Sequence, residues 1–307
     1  MASLTAAMNP ELVLSMEAME RTTPAHYDEW NTRHQQFLDN DKFLAEQFKR
    51  TIVDNAGSHN SIYRGKDLTN VYTVDEICER ISDGTFRDLY IGDYFDKSIT
   101  TSLGGTETVR LVLAGFDVLI GNGSLKHHAV VIPKNAFNKR ASMNDVNTAS
   151  GGYANSKLHT ETLMIYTEAL QSVLNNRIIA HEEILSKEIS RADTDISNVG
   201  EGHIGRSSSN VSKLCELMLM SEIQVYGCTV CSSSFRDIGT ANIQFPLFRL
   251  APELKVVNLG NNEKVRTGYW LSAVAHEGAF ACCDDNGFST FHNAGGSNGV
   301  RPYFCIG

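Results

Sequence analysis

The sequence predicts an α+β protein in which a helical N-terminal segment precedes a larger mixed domain. Three observations carry that reading. A narrow apolar seam recurs in steps of three and four before residue 52; a second helical run lies near mid-chain; and short β-branched and aromatic stretches, punctuated by Gly, Asn and Asp, continue to the last residue. With 307 residues and 42% hydrophobic content, the chain can fill a sizeable core. Its expected division is 1–56 for the helical segment and 57–307 for the mixed domain.

Thr23 followed by Pro24 reads as a helix start, Thr as N-cap and Pro at the first helical position, where its missing N–H costs nothing. Tyr27, Trp30, His34, Phe37, Asp41, Leu44, Phe48 and Ile52 then form one seam. Trp30, Phe37 and Leu44 sit seven apart, as a heptad places them. Tyr27, Trp30, Phe37, Leu44 and Phe48 are therefore candidate oligomerisation residues. His34 and Asp41 dilute the seam, and the alternative is a helix packed on its own C-terminal domain. Residues 55–60 (NAGSHN) break the helix and mark the boundary.

Beyond it, "DLYIGDYFDKSITT" (88–101), "TVRLVLAGFDVLIGNG" (108–123) and "AVVIP" (129–133) read as strands. "KLHTETLMIYTEALQSVLNN" (157–176) has a helical spacing of apolar residues, and "AHEEILSKEI" (180–189) reads as a second, shorter helix. Together they make a helical insertion around 157–190. A Ser/Gly-rich loop (195–210) follows, then "KLCELMLMS" as a strand leading into "EIQVYG". "GAFACC" and "FSTFH" flank Asp284-Asp285-Asn286-Gly287, and Asn-Gly between strand-like runs is a strong hairpin signal because both residues tolerate positive φ. Pro302 within "GVRPYFCI" suits an edge or strand-entry position. The apolar alternation there ties the terminus into a sheet.

A formal charge of −9 leaves no surplus of Lys and Arg to neutralise a phosphate backbone, which argues against nucleic acid and anionic membranes as partners. Apolar runs such as 109–120 are short and interrupted, and the first residues lack the pattern of a secretory signal, so membrane insertion is not expected and folding in a cytoplasm is. Seven cysteines are an odd count, unlike a disulfide scaffold, and most read as small buried hydrophobes. Cys228-Thr-Val-Cys231 has metal-like spacing but lacks a second ligand pair.

"LCELMLMSEIQVYG", "YWLSAVA", the Gly/Asn/aromatic hairpin and the terminal "GVRPYFCIG" resemble a large family of phage and prophage proteins. Its C-terminal domain reads roughly L-S-E-x-E-V, W-W/Y-L-R/S-S, G-V-R-P. The resemblance is close over 212–307 and looser from Asp88. It implies a C-type-lectin-like fold akin to phage tropism determinants and formylglycine-generating enzymes. The helical N-terminus, with "FLDNDKFLAEQFK", is similar to the N-terminal segments of phage fibre proteins. Trp270, Glu222 and Arg301 carry the structural signature. Arg301 is expected to hold the last strand through backbone carbonyls or an acid such as Glu222. Ser272 stands where Arg is common, so an Arg that would clasp a buried carboxylate is missing.

The sequence holds no Gly-x-Ser-x-Gly, no phosphate-binding Gly-x-x-x-x-Gly-Lys-Ser/Thr and no His-Glu-x-x-His. An oxidase reading through Cys282 and Cys283, raised by the likeness to formylglycine-generating enzymes, lacks the matching cysteine context, and adjacent sulfurs on a strand point apart. Asp284, Asp285 and Asn286 could offer oxygens to calcium, but supply about two of the six to eight it takes. No cofactor, metal or catalytic group is expected. The expected function is instead a phage structural protein of the tail fibre or baseplate, present in the virion and made in the host cytoplasm. It would form a homotrimer, attach to other virion proteins through the N-terminal helix and bind a host-surface glycan or protein. The alternative is a capsid decoration or head fibre protein that stabilises the particle or gives weak adhesion. Candidate ligand-binding residues are Phe280, Asp284, Phe288, Thr290, Phe291, His292 and Asn293, aromatic anchors among small polar groups as in a paratope. Residues 279–298 use only nine residue types, all encodable by codons ending in a pyrimidine, the pattern left when adenines of an AAC codon are randomised. That composition admits a diversified display surface.

Overall fold

The computed structural model describes residues 27–49, 54–119, 125–190, 206–232 and 243–307. Helices and antiparallel sheets mix in them as an α+β architecture. Helix α1 (Tyr27–Phe48) carries the N-terminal seam. Trp30, Phe37, Leu44 and Phe48 are 45%, 54%, 54% and 63% exposed, so the chain leaves the seam largely open to solvent. The expected start at Thr23 and Pro24 and the last seam residue, Ile52, lie outside the described residues.

The expected break at 55–60 is instead fastened to the domain. Asn55 caps the single turn of α2 (Ala56–His59) by accepting the Ser58 N–H. His59 is fully buried, its Nδ1 2.5 Å from the Leu89 carbonyl oxygen. Asn60 pairs with the Phe116 backbone in both directions, donating to its carbonyl at 2.7 Å and accepting its N–H at 2.8 Å. A side-chain amide thus imitates a neighbouring strand. Helix α3 (Val74–Ser82) opens with a Thr73/Glu76 capping box and buries Val74, Ile77, Cys78 and Ile81, a single face at steps of three and four.

The main sheet is antiparallel. Strands β1 (Tyr94–Thr101) and β2 (Gly105–Phe116) form a hairpin, β2 pairs with β3 (Ala129–Pro133), and a fully buried C-terminal strand lies next. After β3 come α4 (Leu163–Val173), entered through one π-helical turn at Leu158–Thr162, and then β4 (Ile178–Ile179). Leu158, Leu163, Tyr166, Leu170 and Leu174 bury one helical face as the spacing predicts. Strands β5 (His181–Ser190) and β6 (Arg206–Cys215) form a separate two-stranded ribbon, followed by β7 (Leu217–Leu219) and α5 (Glu222–Tyr226). Helix α6 (Pro246–Leu250) leads to the β8 (Val257–Leu259) and β9 (Asn262–Thr267) pair. Strands β10 (Tyr269–His276), β11 (Ala279–Cys283) and β12 (Ser289–Asn293) make a three-stranded sheet.

The final strand, β13 (Pro302–Ile306), sits between β3 on one side and β4 and β7 end to end on the other. All five of its residues are buried. A sheet covered on both faces needs continuous apolar strands, which Tyr303-Phe304-Cys305-Ile306 supplies. Pro302 occupies the first position, the strand entry that its missing N–H suits.

Three expectations are corrected. The segment expected as a helix at 180–189 is strand β5, so the helical insertion is confined to α4 and its entry turn. His181, Glu183 and Leu185 are buried while Glu182 and Ile184 are exposed, a period of two that pairing with β6 imposes over the helix propensity of Glu, Leu and Lys. "KLCELMLMS" is broken at Glu216 into β6 and β7, and "EIQVY" is helix α5, opened by a Ser221/Gln224 capping box. The strand expected from Asp88 begins only at Tyr94. Before it, fully buried Asp93 accepts the Tyr90 and Lys66 N–H groups and the Arg64 guanidinium and so turns the chain.

Candidate ligand-facing surface

A strand at the edge of a small sheet is where rigid backbone and solvent meet, and β12 is such a strand. Among the described residues it pairs only with β11, in the register Ala279↔Asn293 to Cys283↔Ser289. Phe291, His292 and Asn293 are exposed on it and Thr290 is half-buried. Phe288, at the end of the preceding turn, is 70% exposed. Phe280 does not belong with them. It lies on β11, the central strand, whose two faces are both covered, and is fully buried. Alternation along one strand predicts an outward face only where that face is left uncovered.

The turn joining β11 to β12 is held by Asp284. Its Oδ1 accepts the N–H groups of Asn286 (2.9 Å) and Phe288 (2.8 Å). Only Gly287, at φ 89°, takes the left-handed conformation in this connection, which is an Asp-anchored loop. Asp284 is thereby committed to backbone. Among the described residues no group of three or more His, Cys, Asp or Glu gathers in a metal-binding cluster.

Two grooves flank this edge. One, of about 580 Å³, is lined by Asn147, Thr148, Ser150, His276, Glu277 and Asn293, with Ile189 and Gly278. Its rim is stitched together by backbone: Ala149 N–H to Glu277 O (2.7 Å), Ala294 N–H to Gly278 O (2.8 Å) and Asn144 N–H to Ala294 O (3.0 Å). The Asn147 carboxamide oxygen accepts the Gly295 N–H at 3.0 Å, and Phe291 meets the His276 ring edge-on at 5.2 Å. Three segments far apart in sequence are thus locked before any ligand arrives, and they present amide, hydroxyl and carboxylate groups beside an aromatic. The second groove, of about 550 Å³, surrounds Phe288 with Tyr226, Val230, Lys255, Val256 and Ser289. Lys255 Nζ lies 4.9 Å from the centre of the Tyr226 ring, and the Tyr226 hydroxyl donates to Gly287 O.

The signature residues brace this surface from beneath. Glu222, 1% exposed at the start of α5, accepts the N–H groups of Val230 (3.2 Å), Cys231 (2.8 Å) and Ser232 (2.8 Å) and the Ser289 hydroxyl at 2.5 Å. One carboxylate therefore pins the 228–232 loop against the start of β12. Arg301 takes the carbonyl route: Nε donates to Pro133 O and Nη1 to Leu254 O, both at 2.9 Å, with Phe248 and Tyr269 rings beside the guanidinium. Glu222 is not among these partners. Trp270, fully buried, donates its indole N–H to Ala141 O at 2.7 Å and meets His292 edge-on at 5.5 Å, which connects the core to the exposed edge.

Ser272 lines a cavity of about 20 Å³ that also holds buried Glu183, Gln224 and Tyr303. The Tyr303 hydroxyl donates to Glu183 at 2.6 Å, so a neutral donor serves the buried carboxylate, and the space left suits one water. Burial pushes the Cys282 thiol up to about 12 and raises Cys283 as well, which keeps both sulfurs protonated. Sequence reasoning missed Asn147, Thr148, Ser150, His276 and Glu277. None stands in a motif; they meet only through the backbone stitching.

No known family, curated protein or solved structure matches the chain. No described helix is long and apolar enough to cross a membrane.

Proposed function

We propose that the chain is a non-enzymatic virion protein that uses its C-terminal sheet to bind a host-surface glycan or protein. Its position is a tail fibre or baseplate, it is made in the bacterial cytoplasm, and its working form is a homotrimer assembled and attached to other virion proteins through α1. The observation that carries the reading is the exposed β12 edge, where Phe288, Phe291, His292 and Asn293 stand between two grooves on a scaffold fixed by Trp270, Glu222 and Arg301. Rigid aromatic anchors beside small polar groups bind at low entropic cost. The sequence resemblance to phage proteins with a C-type-lectin-like domain supports the same reading. So does the pairing of a small three-stranded sheet with a terminal strand buried in a second sheet. The open seam of α1, with Trp30, Phe37 and Leu44 seven apart, supports self-association.

The test is adsorption. Purified protein should coat host cells and block phage attachment, and Phe288→Ala with Phe291→Ala should abolish both effects while unfolding remains cooperative. Antibody labelling of capsids instead of tails, or full blocking by the double variant, would overturn the reading.

A further inference from the structure

Five of the seven cysteines are closed to chemistry. Cys78, Cys215, Cys282, Cys283 and Cys305 are buried, and burial raises every one of their thiols, Cys78 to about 11 and Cys215 and Cys282 to about 12. The remaining two lie three residues apart in the loop that Glu222 pins, Cys228 exposed and Cys231 half-buried. The chain bends at Gly227, Cys228, Val230 and Cys231. Three residues of chain span at most about 11 Å even when fully extended, and these bends shorten that span toward the Cα separation that a disulfide takes.

We propose that Cys228 and Cys231 form a thiol–disulfide exchange pair, a modification site whose partner class is a low-molecular-weight disulfide such as glutathione disulfide. The exposed Cys228, as thiolate, attacks one sulfur of the small disulfide, breaks its S–S bond and releases one thiolate. Cys231 then gives its proton to a departing thiolate while its sulfur attacks the Cys228 sulfur of the mixed disulfide and expels the second small thiol. Two protein thiols are oxidised, and one small disulfide is reduced to two thiols.

The division of labour follows from position. Cys228 stands in solvent where an incoming disulfide can reach it. Cys231 Sγ lies 3.6 Å from Ser289 Oγ, whose proton goes to the Glu222 carboxylate beside it, and burial raises the Cys231 thiol, so it is the resolving partner. Three consecutive N–H groups on one carboxylate hold the 230–232 backbone through the exchange. The consequence reaches the surface. Val230, between the two sulfurs, lines the groove around Phe288, so closing the ring fixes one wall of that groove.

The test uses the full chain reduced, then incubated with glutathione disulfide, quenched with iodoacetamide and analysed by peptide mass spectrometry. The wild type should lose two hydrogens across Cys228 and Cys231 while the other five cysteines stay unmodified in the native state. Cys231→Ser should accumulate glutathione on Cys228, and Cys228→Ser should react at least tenfold more slowly. Native unfolding of both variants is checked in parallel. A stable glutathione adduct on wild-type Cys228, equal rates in Cys228→Ser and wild type, or earlier reaction of a buried cysteine would each overturn the proposal.

Discussion

Replacing Glu222 by Ala removes a single carboxylate that accepts four hydrogen bonds, three from the backbone of Val230, Cys231 and Ser232 and one from Ser289. A hydrogen bond to a charged group contributes about 1.5–3 kcal/mol. Val230 is exposed and Cys231 and Ser232 are half-buried, so water takes over part of the loss, and about 3 kcal/mol is expected for the set. In a domain of this size 1 kcal/mol shifts Tm by about 2–4 °C, so Tm should fall by about 6–12 °C. Glu222→Gln keeps the shape but points an amide NH2 toward N–H donors, and should retain most of the damage. Urea unfolding gives the energy and hydrogen exchange gives the place, since amides 230–232 should lose protection while those of β13 keep theirs. An Ala variant within about 1 kcal/mol of wild type, or a Gln variant equal to it, would refute the claim that this carboxylate pins the loop.

Four further outcomes are expected. Burial lowers His159 to about 4 and also lowers His59 and His128. The unfolded chain therefore binds protons first below about pH 6.5, and the urea midpoint should fall progressively from there toward pH 4, with a shallower fall in His159→Gln. Arg301→Met strands the Pro133 and Leu254 carbonyls and should cost about 2–4 kcal/mol in urea unfolding, with Arg301→Lys recovering only a small part. Light scattering should report a trimer for the full chain and smaller species for Trp30→Ala with Phe37→Ala and Leu44→Ala; a monomeric wild type would remove the assembly role of α1. Codons for Phe288, Phe291, His292 and Asn293 should end in pyrimidines, near an imperfect repeat and a reverse-transcriptase gene, if the exposed edge is diversified. Sequencing the locus decides it.

The features legible in the sequence are those with local causes. Asp284 to Gly287 announced the β11–β12 connection, Pro302 the entry to β13, and the spacing of Leu158 to Leu174 the helix α4. What escaped depends on distant partners. Strand β5 is composed like a helix and becomes a strand through pairing with β6, across a segment of more than a dozen residues. Its alternation buries His181, Glu183 and Leu185 and exposes Glu182 and Ile184, so the polar and apolar residues of the sequence do not sort by face and carry no strand signal. The Ser221/Gln224 pair was a readable capping box for α5. Phe280 was misplaced because one strand's pattern cannot report that a second layer covers its other face. The polar groove beside His276 had no signal at all, since its lining comes from separate loops joined by backbone hydrogen bonds.

The central place of β13 has a consequence for how the protein reaches its native state. Its Phe304 pairs with Val131, more than half the chain away, and the same five residues also close onto β4 and β7. Contacts so distant in sequence slow folding, because a large loop closes before the pairing rewards it. Until ribosomes deliver residue 306, the edges of β3, β4 and β7 stand open with unpaired N–H and C=O groups, a template for strands of neighbouring nascent chains. A stalled or nicked chain that lacks only the last strand would keep its helices and hairpins yet expose a slot one strand wide, and aggregation through that slot should outpace loss of secondary structure.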